Sequence, residues 1–275
     1  MGSSRKHNVQ PGSAATNSVQ RSFAILEFLN ASRRGWNISE LSRKLDIPKS
    51  STHVLINILS GLGYIQQAQL SNRFQLSPKL YGLGRRALHA TPLSEVMLPH
   101  LHWLVQQTSL TAHAGILEKH HVVFIQKVDG QGMVKFDTYV GKCSPLHCTS
   151  LGKALLSSQT PEMLQSMLSK YTFDRFTRKT IVSLPAFMSE LDRVRKQGYA
   201  VDNEEEELGV RCVASPIVVD GVAVGAVSVT GTVTQIPPEN VAAVGERLRT
   251  AASNVQAQLC NRPFPARNGA RKKSA

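Results

Sequence analysis

NISELSRKLDIPKSSTHVLINIL, residues 37–59, holds two short amphipathic segments separated by a break at Asp46-Ile47-Pro48. Ile38, Leu41 and Leu45 recur at helical spacing, which predicts one buried face on the first segment. Ser39 is placed to cap that helix, with Glu40 in its first turn near the positive end of the dipole. Pro48 suits the start of the second helix. Ile47, Leu55, Ile58 and Leu59 then form its buried stripe, and Lys49, Ser50, Ser51, His53, Val54 and Asn57 are left for the outside or its edges. A cation, short hydroxyls and an amide at a helix N-terminus suit phosphate oxygens and base edges. Two helices joined by a tight turn, the second opening on polar residues, are the pattern of a helix-turn-helix, whose ligand is duplex DNA. The competing interpretation is an ordinary helical hairpin with a solvated face.

The flanking residues favour DNA. Gly61-Leu62-Gly63 ends the second helix, and Tyr64–Gln67 and Arg73–Leu76 are strand-like, joined through Ala68–Asn72 as a hairpin. A helix-turn-helix followed at once by a hairpin is a winged helix. Arg73, near the wing tip, is either a contact to DNA backbone or minor groove or a solvated loop charge; the sequence leaves both open. Upstream, Ser18–Asn30 is periodic in Val19, Phe23, Leu26 and Leu29 and predicts the first helix of the unit. Downstream, Leu80–Ala90 predicts a connecting helix that ends near Thr91-Pro92.

Charge follows the same division. The 275 residues carry a net +13, of which +9 falls on residues 1–90 and +5 on residues 260–275, while residues 91–259 hold −1. A basic module joined to a neutral one confines nucleic-acid contact to the first. The tail RPFPARNGARKKSA lacks apolar periodicity and is expected to be disordered, as is a polar arm over residues 1–16.

Several functions are disfavoured. The four cysteines form no CxxC pair, so neither a disulfide framework nor a zinc pattern is present. His100/His102 and His120/His121 bring no third ligand at a metal-binding spacing, and no metal or cofactor is expected. The run Glu204–Glu207 beside Asp202 fits a solvated turn or an inter-subunit charge contact better than a metal site. Adjacent His147 and Cys148 are poorly placed to act as base and nucleophile, so no enzyme activity is expected. Redox pairing of Cys143 with Cys148 stands as a minor alternative, with nothing to lower either thiol pKa. No signal peptide is seen, and the most apolar stretch, Ile217–Val229, is too short to span a bilayer; a cytoplasmic protein without membrane contact is expected.

Beyond residue 93, helix-like stretches are Ser94–Thr108, Ser150–Ser158, Pro161–Lys170, Pro185–Gln197 and Pro237–Leu259. Strand-like stretches are Leu110–Leu117, His121–Lys127, Met133–Thr138, Arg211–Val219 and Val222–Thr230, the last two joined by a type I′ signal at Asp220-Gly221. Strands and helices do not alternate regularly, which predicts an α+β domain with a mixed antiparallel sheet. The expected divisions are therefore an arm (1–16), a winged helix-turn-helix (17–78), a linker helix (79–92), a second domain (93–259) and a basic tail (260–275).

In order and spacing, SVQRSFAILEFL, ISELSRKLDIPKSSTHVLINILSGLGYI, RFQLSPKLYGLG, SPLHCTSLGKALLS, GYAVDNEEEELGVRCVASPI and VDGVAVGAVSVTG resemble the IclR family of bacterial transcription regulators, over about Ser18 to Leu259. The resemblance implies a C-terminal effector domain of GAF or PAS type, a small organic or aromatic acid as effector, and a dimer or dimer of dimers on a palindromic operator. It implies effector contacts at Ser150 and Leu151, at Asp202, Val210 and Cys212, and at Ser228 and Thr230. A small carboxylate needs a few donors on an apolar wall, and the start of the Ser150 helix offers N–H groups. Without the resemblance, Cys212 reads as a small buried residue, and Ser228 and Thr230 equally as sheet residues facing solvent. The sequence departs from the family in two places. Val54 stands where the family commonly has Arg, and Ser150-Leu151 where some members have smaller residues. A sensor or interaction protein of the GAF kind, without sequence-specific DNA binding, is the alternative.

Overall fold

The computed structural model describes residues 18–30, 32, 34–68, 71–89 and 92–260. The expected N-terminal arm, the tail beyond Cys260, and Ala90 and Thr91 at the end of the expected linker lie outside them. The chain divides into two compact units between Ala87 and Leu88.

The first unit is three helices and a hairpin: α1 (Ser18–Asn30), α2 (Ile38–Leu45), α3 (Lys49–Gly61), and antiparallel β1 (Ile65–Gln67) and β2 (Phe74–Leu76). Its core is Ile25, Leu29, Leu41, Ile47, Leu55, Ile56, Leu59 and Ile65. Three sequence expectations change here. Asn37, not Ser39, caps α2: its side chain accepts from Glu40 N while Glu40 accepts from Asn37 N, a reciprocal capping box. Ile56 is buried and Ile58 is 52% exposed. In the apolar run Val54–Ile58 only Asn57 breaks the phase, so either rotation fits the pattern. Thr52 sets it: fully buried, it returns its hydroxyl to Pro48 O at 3.1 Å and turns Ile56 inward. On α1 the buried residues are Ile25 and Leu29, while Val19 and Phe23 are exposed. Asp46, at φ 54°, closes α2, and Pro48 stands just outside α3 as its N-cap.

Helix α4 (Lys79–His89) follows the hairpin and contains Gly82 and Gly84. The second unit begins with α5 (Pro92–Thr108). Its sheet is β3 (Thr111–Glu118), β4 (His121–Val128), β5 (Cys143–Ser144), β6 (Ala200–Asn203), β7 (Val210–Val219) and β8 (Val222–Thr232), in the order β5-β4-β3-β8-β7-β6 with every pairing antiparallel. The other helices are α6 (Ser150–Ser157), α7 (Pro161–Leu168), α8 (Leu184–Gln197) and α9 (Val241–Cys260), the last preceded by a 3-10 turn at Pro238–Asn240. Asp220 and Gly221 both have positive φ, as a type I′ hairpin requires.

The period of two along each strand splits the sheet into two faces. Ala112, Ala114, Val213, Val227 and Val229 pack in one cluster with Leu101 and Leu104 of α5 and Leu248 and Val255 of α9. Ala200, Ala214 and Ala226 pack in another with Leu151 and Leu155 of α6 and Phe187 and Leu191 of α8. The expected strand Met133–Thr138 is absent. The edge of β4 is taken by β5, and lysines hold the segment instead: Lys127 donates to Phe136 O and Thr138 O, and Lys135 to Gly130 O. Among the described residues no helix is long and apolar enough to cross a membrane.

Candidate functional site

Two surfaces bear on function, one in each unit. In the first, α3 turns Thr52, Leu55, Ile56 and Leu59 into the core and leaves Lys49, Ser50, His53 and Asn57 exposed, with Ser51 half-buried at the edge. Asn57 Nδ2 lies 3.2 Å from His53 Nδ1. The contact ties the two side chains together along the exposed face of the helix. Arg43 and Lys44 at the end of α2 are exposed as well. Arg73 is placed differently from both sequence interpretations. Its guanidinium grips both oxygens of Glu40, at 3.1 and 3.2 Å, and donates to Gly35 O at 2.9 Å. It clasps the wing to the start of α2. Glu40 is held below the ordinary carboxylate range, first by the Asn37 N–H and then by the charge of Arg73.

In the second unit, register fixes a row of polar side chains across four strands. Asp202 of β6 faces Cys212 of β7, Cys212 faces Thr230 of β8, and Thr230 faces Thr111 of β3. Residues directly opposite across an antiparallel pair share a face. The next row, two residues along, is Ala200, Ala214, Ser228 and His113. Val210 shares the face of Cys212 at the start of β7. Helix α6 lies over these rows. Thr149 caps it by accepting from Gly152 N at 3.1 Å, and Leu151 packs with Ala200, Ala214 and Ala226. The absence of a side chain at Gly152 is required: a Cβ there would sit 2.2 Å from Leu146 O. The structure thus gathers Ser150, Leu151, Asp202, Val210, Cys212, Ser228 and Thr230 on or over one sheet face. A cleft of about 180 Å³, its open mouth included, runs beside Thr111 and Thr230 under Val134 and Phe136.

The chemistry of this face is set by burial. Asp202 is 2% exposed, and desolvation lifts its carboxyl to about 8. Its Oδ1 accepts from Glu205 N at 2.8 Å, and among the described residues no ion pair reaches it. Lys153 of α6, whose charge acts on Asp202, is fully buried and held at 2.6 Å by Glu205, with Val201 O and Glu190 as further partners. Glu205 and Glu206 are also raised by burial. Thr230 Oγ1 donates to Cys212 Sγ at 3.3 Å, and burial pushes that thiol well above its usual range. At pH 7 the face therefore presents hydroxyls, a thiol and a protonated carboxyl.

Sequence reasoning missed three members of this assembly. His113 is 1% exposed; its Nε2 meets Thr138 Oγ1 at 2.8 Å, its Nδ1 has no partner, and burial lowers its pKa to about 3. Its place in the alternation of Thr111–Glu118 was the available signal. Lys153, a lone charge within the apolar SLGKALLS, is the second. Glu205 is the third, and it corrects the solvated-turn expectation for the acidic run: Glu205 is 6% exposed and Glu204 pairs with Lys179. His147 and Cys148 are both buried. The imidazole bonds Tyr171 and Asp174 O, and burial raises the thiol.

Comparison with known proteins gives a consistent picture. Residues 85–257 match the model of the bacterial transcriptional regulator IclR C-terminal domain, and residues 18–69 that of the IclR helix-turn-helix domain. The HTH-type transcriptional regulator KdgR of Dickeya chrysanthemi is 33% identical over 257 residues, covering 93% of this chain and 83% of the relative. An IclR of Thermotoga maritima of known structure is 26% identical with a TM-score of 0.71, over 89% of this chain and 99% of its own. An IclR homolog from Microbacterium hydrocarbonoxydans, solved in complex with 4-hydroxybenzoate, is 24% identical with a TM-score of 0.75, over 90% and 100% of the two chains.

Proposed function

The chain belongs to the IclR family of bacterial transcriptional regulators, and from that premise we propose that it binds operator DNA through α3 and answers to a small organic acid bound on the face beneath α6. On the DNA side, Lys49, Ser50, Ser51, His53 and Asn57 meet the duplex, and Arg73 acts by holding the wing. The protein works as a homodimer, or a dimer of dimers, with half-sites about 34–36 Å apart or a multiple of that. On the effector side, N–H groups of the first turn of α6, at Ser150 and Leu151, take the carboxylate. Asp202, Cys212, Ser228 and Thr230 take the remaining polar atoms, with Val210 as apolar wall.

The observation that carries this reading is the polar row Asp202–Cys212–Thr230 on the sheet face against which α6 packs. The 4-hydroxybenzoate held by the Microbacterium homolog supports an organic acid as the ligand class. Burial keeps the Cys212 thiol protonated, so the row holds no activated nucleophile, and the ligand is bound and released unchanged, in the cytoplasm. Effector and DNA are linked by a coupling of about 1–3 kcal/mol, reciprocal by necessity.

The test is fluorescence anisotropy of the purified protein on DNA from upstream of its own gene, against random DNA of equal length. A preference of about a thousandfold or more at physiological salt is expected, and its shift on addition of a panel of small carboxylic acids identifies the effector. Equal, weak and salt-sensitive binding to both DNAs would leave a sensor domain without sequence-specific DNA recognition.

A further inference from the structure

The middle of the exposed face of α3 is apolar. At about 100° per residue, Ser50, Val54 and Asn57 stand together opposite the buried Thr52, Leu55, Ile56 and Leu59. Val54 is 56% exposed, and Ile58, one turn on, is 52% exposed. Both side chains are wholly apolar, and valine adds little to helix propensity. The polar neighbours of Val54 are engaged with each other through the His53–Asn57 contact. Val54 therefore offers a methyl surface at the centre of the face that a helix-turn-helix lays in the major groove.

We propose that Val54 is a specificity-determining residue and that its occupant is the 5-methyl group of a thymine in each operator half-site. The inference rests on the DNA-binding reading given above. The surroundings favour DNA over a protein. Lys49 opens the same helix, Arg43 and Lys44 are exposed at the end of α2, and the first 90 residues carry +9. A duplex neutralises that charge with phosphates, whereas an apolar protein partner would have to bury it. Among major-groove base edges only thymine carries a methyl. Where an arginine fork would select guanine, Val54 selects a T·A pair.

The experiment starts by enriching bound duplexes from a random pool with the full-length protein. An invariant thymine in each half-site is expected. That thymine is then replaced by deoxyuridine, which keeps the hydrogen-bonding edge and removes only the methyl. The wild-type protein is expected to lose about fourfold in affinity per half-site, the worth of one buried methyl. Val54→Ala is expected to bind the thymine and uracil duplexes equally, and Val54→Thr, which keeps one methyl, to restore part of the preference. Because Val54 is exposed, neither variant disturbs the core. Equal binding of both duplexes by the wild-type protein, with specific enrichment intact, overturns the role of Val54 and leaves DNA binding standing. Failure to enrich any sequence overturns both. Loss of self-association in Val54→Ala, with operator affinity unchanged, overturns the assignment in favour of a second copy of the chain.

Discussion

Single side chains decide the charge of each surface. Asp202 is the clearest case, because burial holds its carboxyl near 8 and leaves it a hydrogen-bond donor at pH 7. Raising the pH through 8 turns that donor into an anion, which would repel the proposed carboxylate ligand. Calorimetric titration of the effector is therefore expected to show affinity falling between pH 7 and 9, and Asp202→Asn to flatten the profile while keeping affinity at pH 7. The sign for stability is fixed as well. The folded chain keeps a proton that the unfolded chain releases near 3.8, so this carboxyl lowers folding stability as pH rises from 3.8 to about 8. His113, Glu205 and Glu206 on the same face, with Lys142 and Lys153 acting on them, shape the rest of that profile. On the proposed DNA surface Lys49 is exposed, a point charge in reach of phosphates. Lys49→Ala is expected to weaken binding to all sequences alike and to reduce the slope of log K against log salt by about one, read by anisotropy from 50 to 200 mM salt.

At the scale of elements, the attachment of α6 matters most. Lys153 ties that helix to the turn after β6 through Glu205, whose N–H in turn holds Asp202. Breaking a buried pair by removing one partner costs about 3–5 kcal/mol, so Lys153→Met is expected to lower the stability of this unit by that order in denaturant unfolding. Lys153→Met with Glu205→Gln is expected to recover part of the loss, since no unpaired charge then remains. The elements also show what the sequence carried. Long periodic segments such as α8 and α9, the turn at Asp220-Gly221 and the helix-turn-helix were legible because period and turn chemistry are local. The phase of α3 was not, because an apolar run fits two rotations and only the packing of Thr52 separates them. The Met133–Thr138 segment has strand-like composition, but its carbonyls are taken by the Lys127 side chain rather than by a strand edge. Strands β5 and β6 are too short to signal themselves, so the row containing Asp202 came from resemblance rather than pattern. The alternation of β3 and the lone charge in SLGKALLS marked His113 and Lys153, but their roles depend on partners 25 and 52 positions away.

For the whole molecule, the two units have separate cores, so unfolding need not be a single event. Calorimetry is expected to resolve two transitions. Operator DNA should raise one and the effector the other, each by about 2.7 kcal/mol at a hundred times its dissociation constant. A single transition raised equally by both ligands would mean that the units melt as one.

The order of strands also governs the order of events during synthesis. The central pair of the sheet joins β3 to β8, segments more than a hundred residues apart, and nothing nearer in the chain can stand in for β8. Closing so long a loop is slow, and it waits until Thr230 has been made. The three helices and hairpin of the first unit need only contacts within their own sixty residues. At roughly 5–20 residues per second, the nascent chain spends on the order of ten seconds with its DNA-binding unit complete and its sensing sheet unmade. A newly made regulator thus passes through an interval in which it can already hold a duplex and cannot yet hear a ligand.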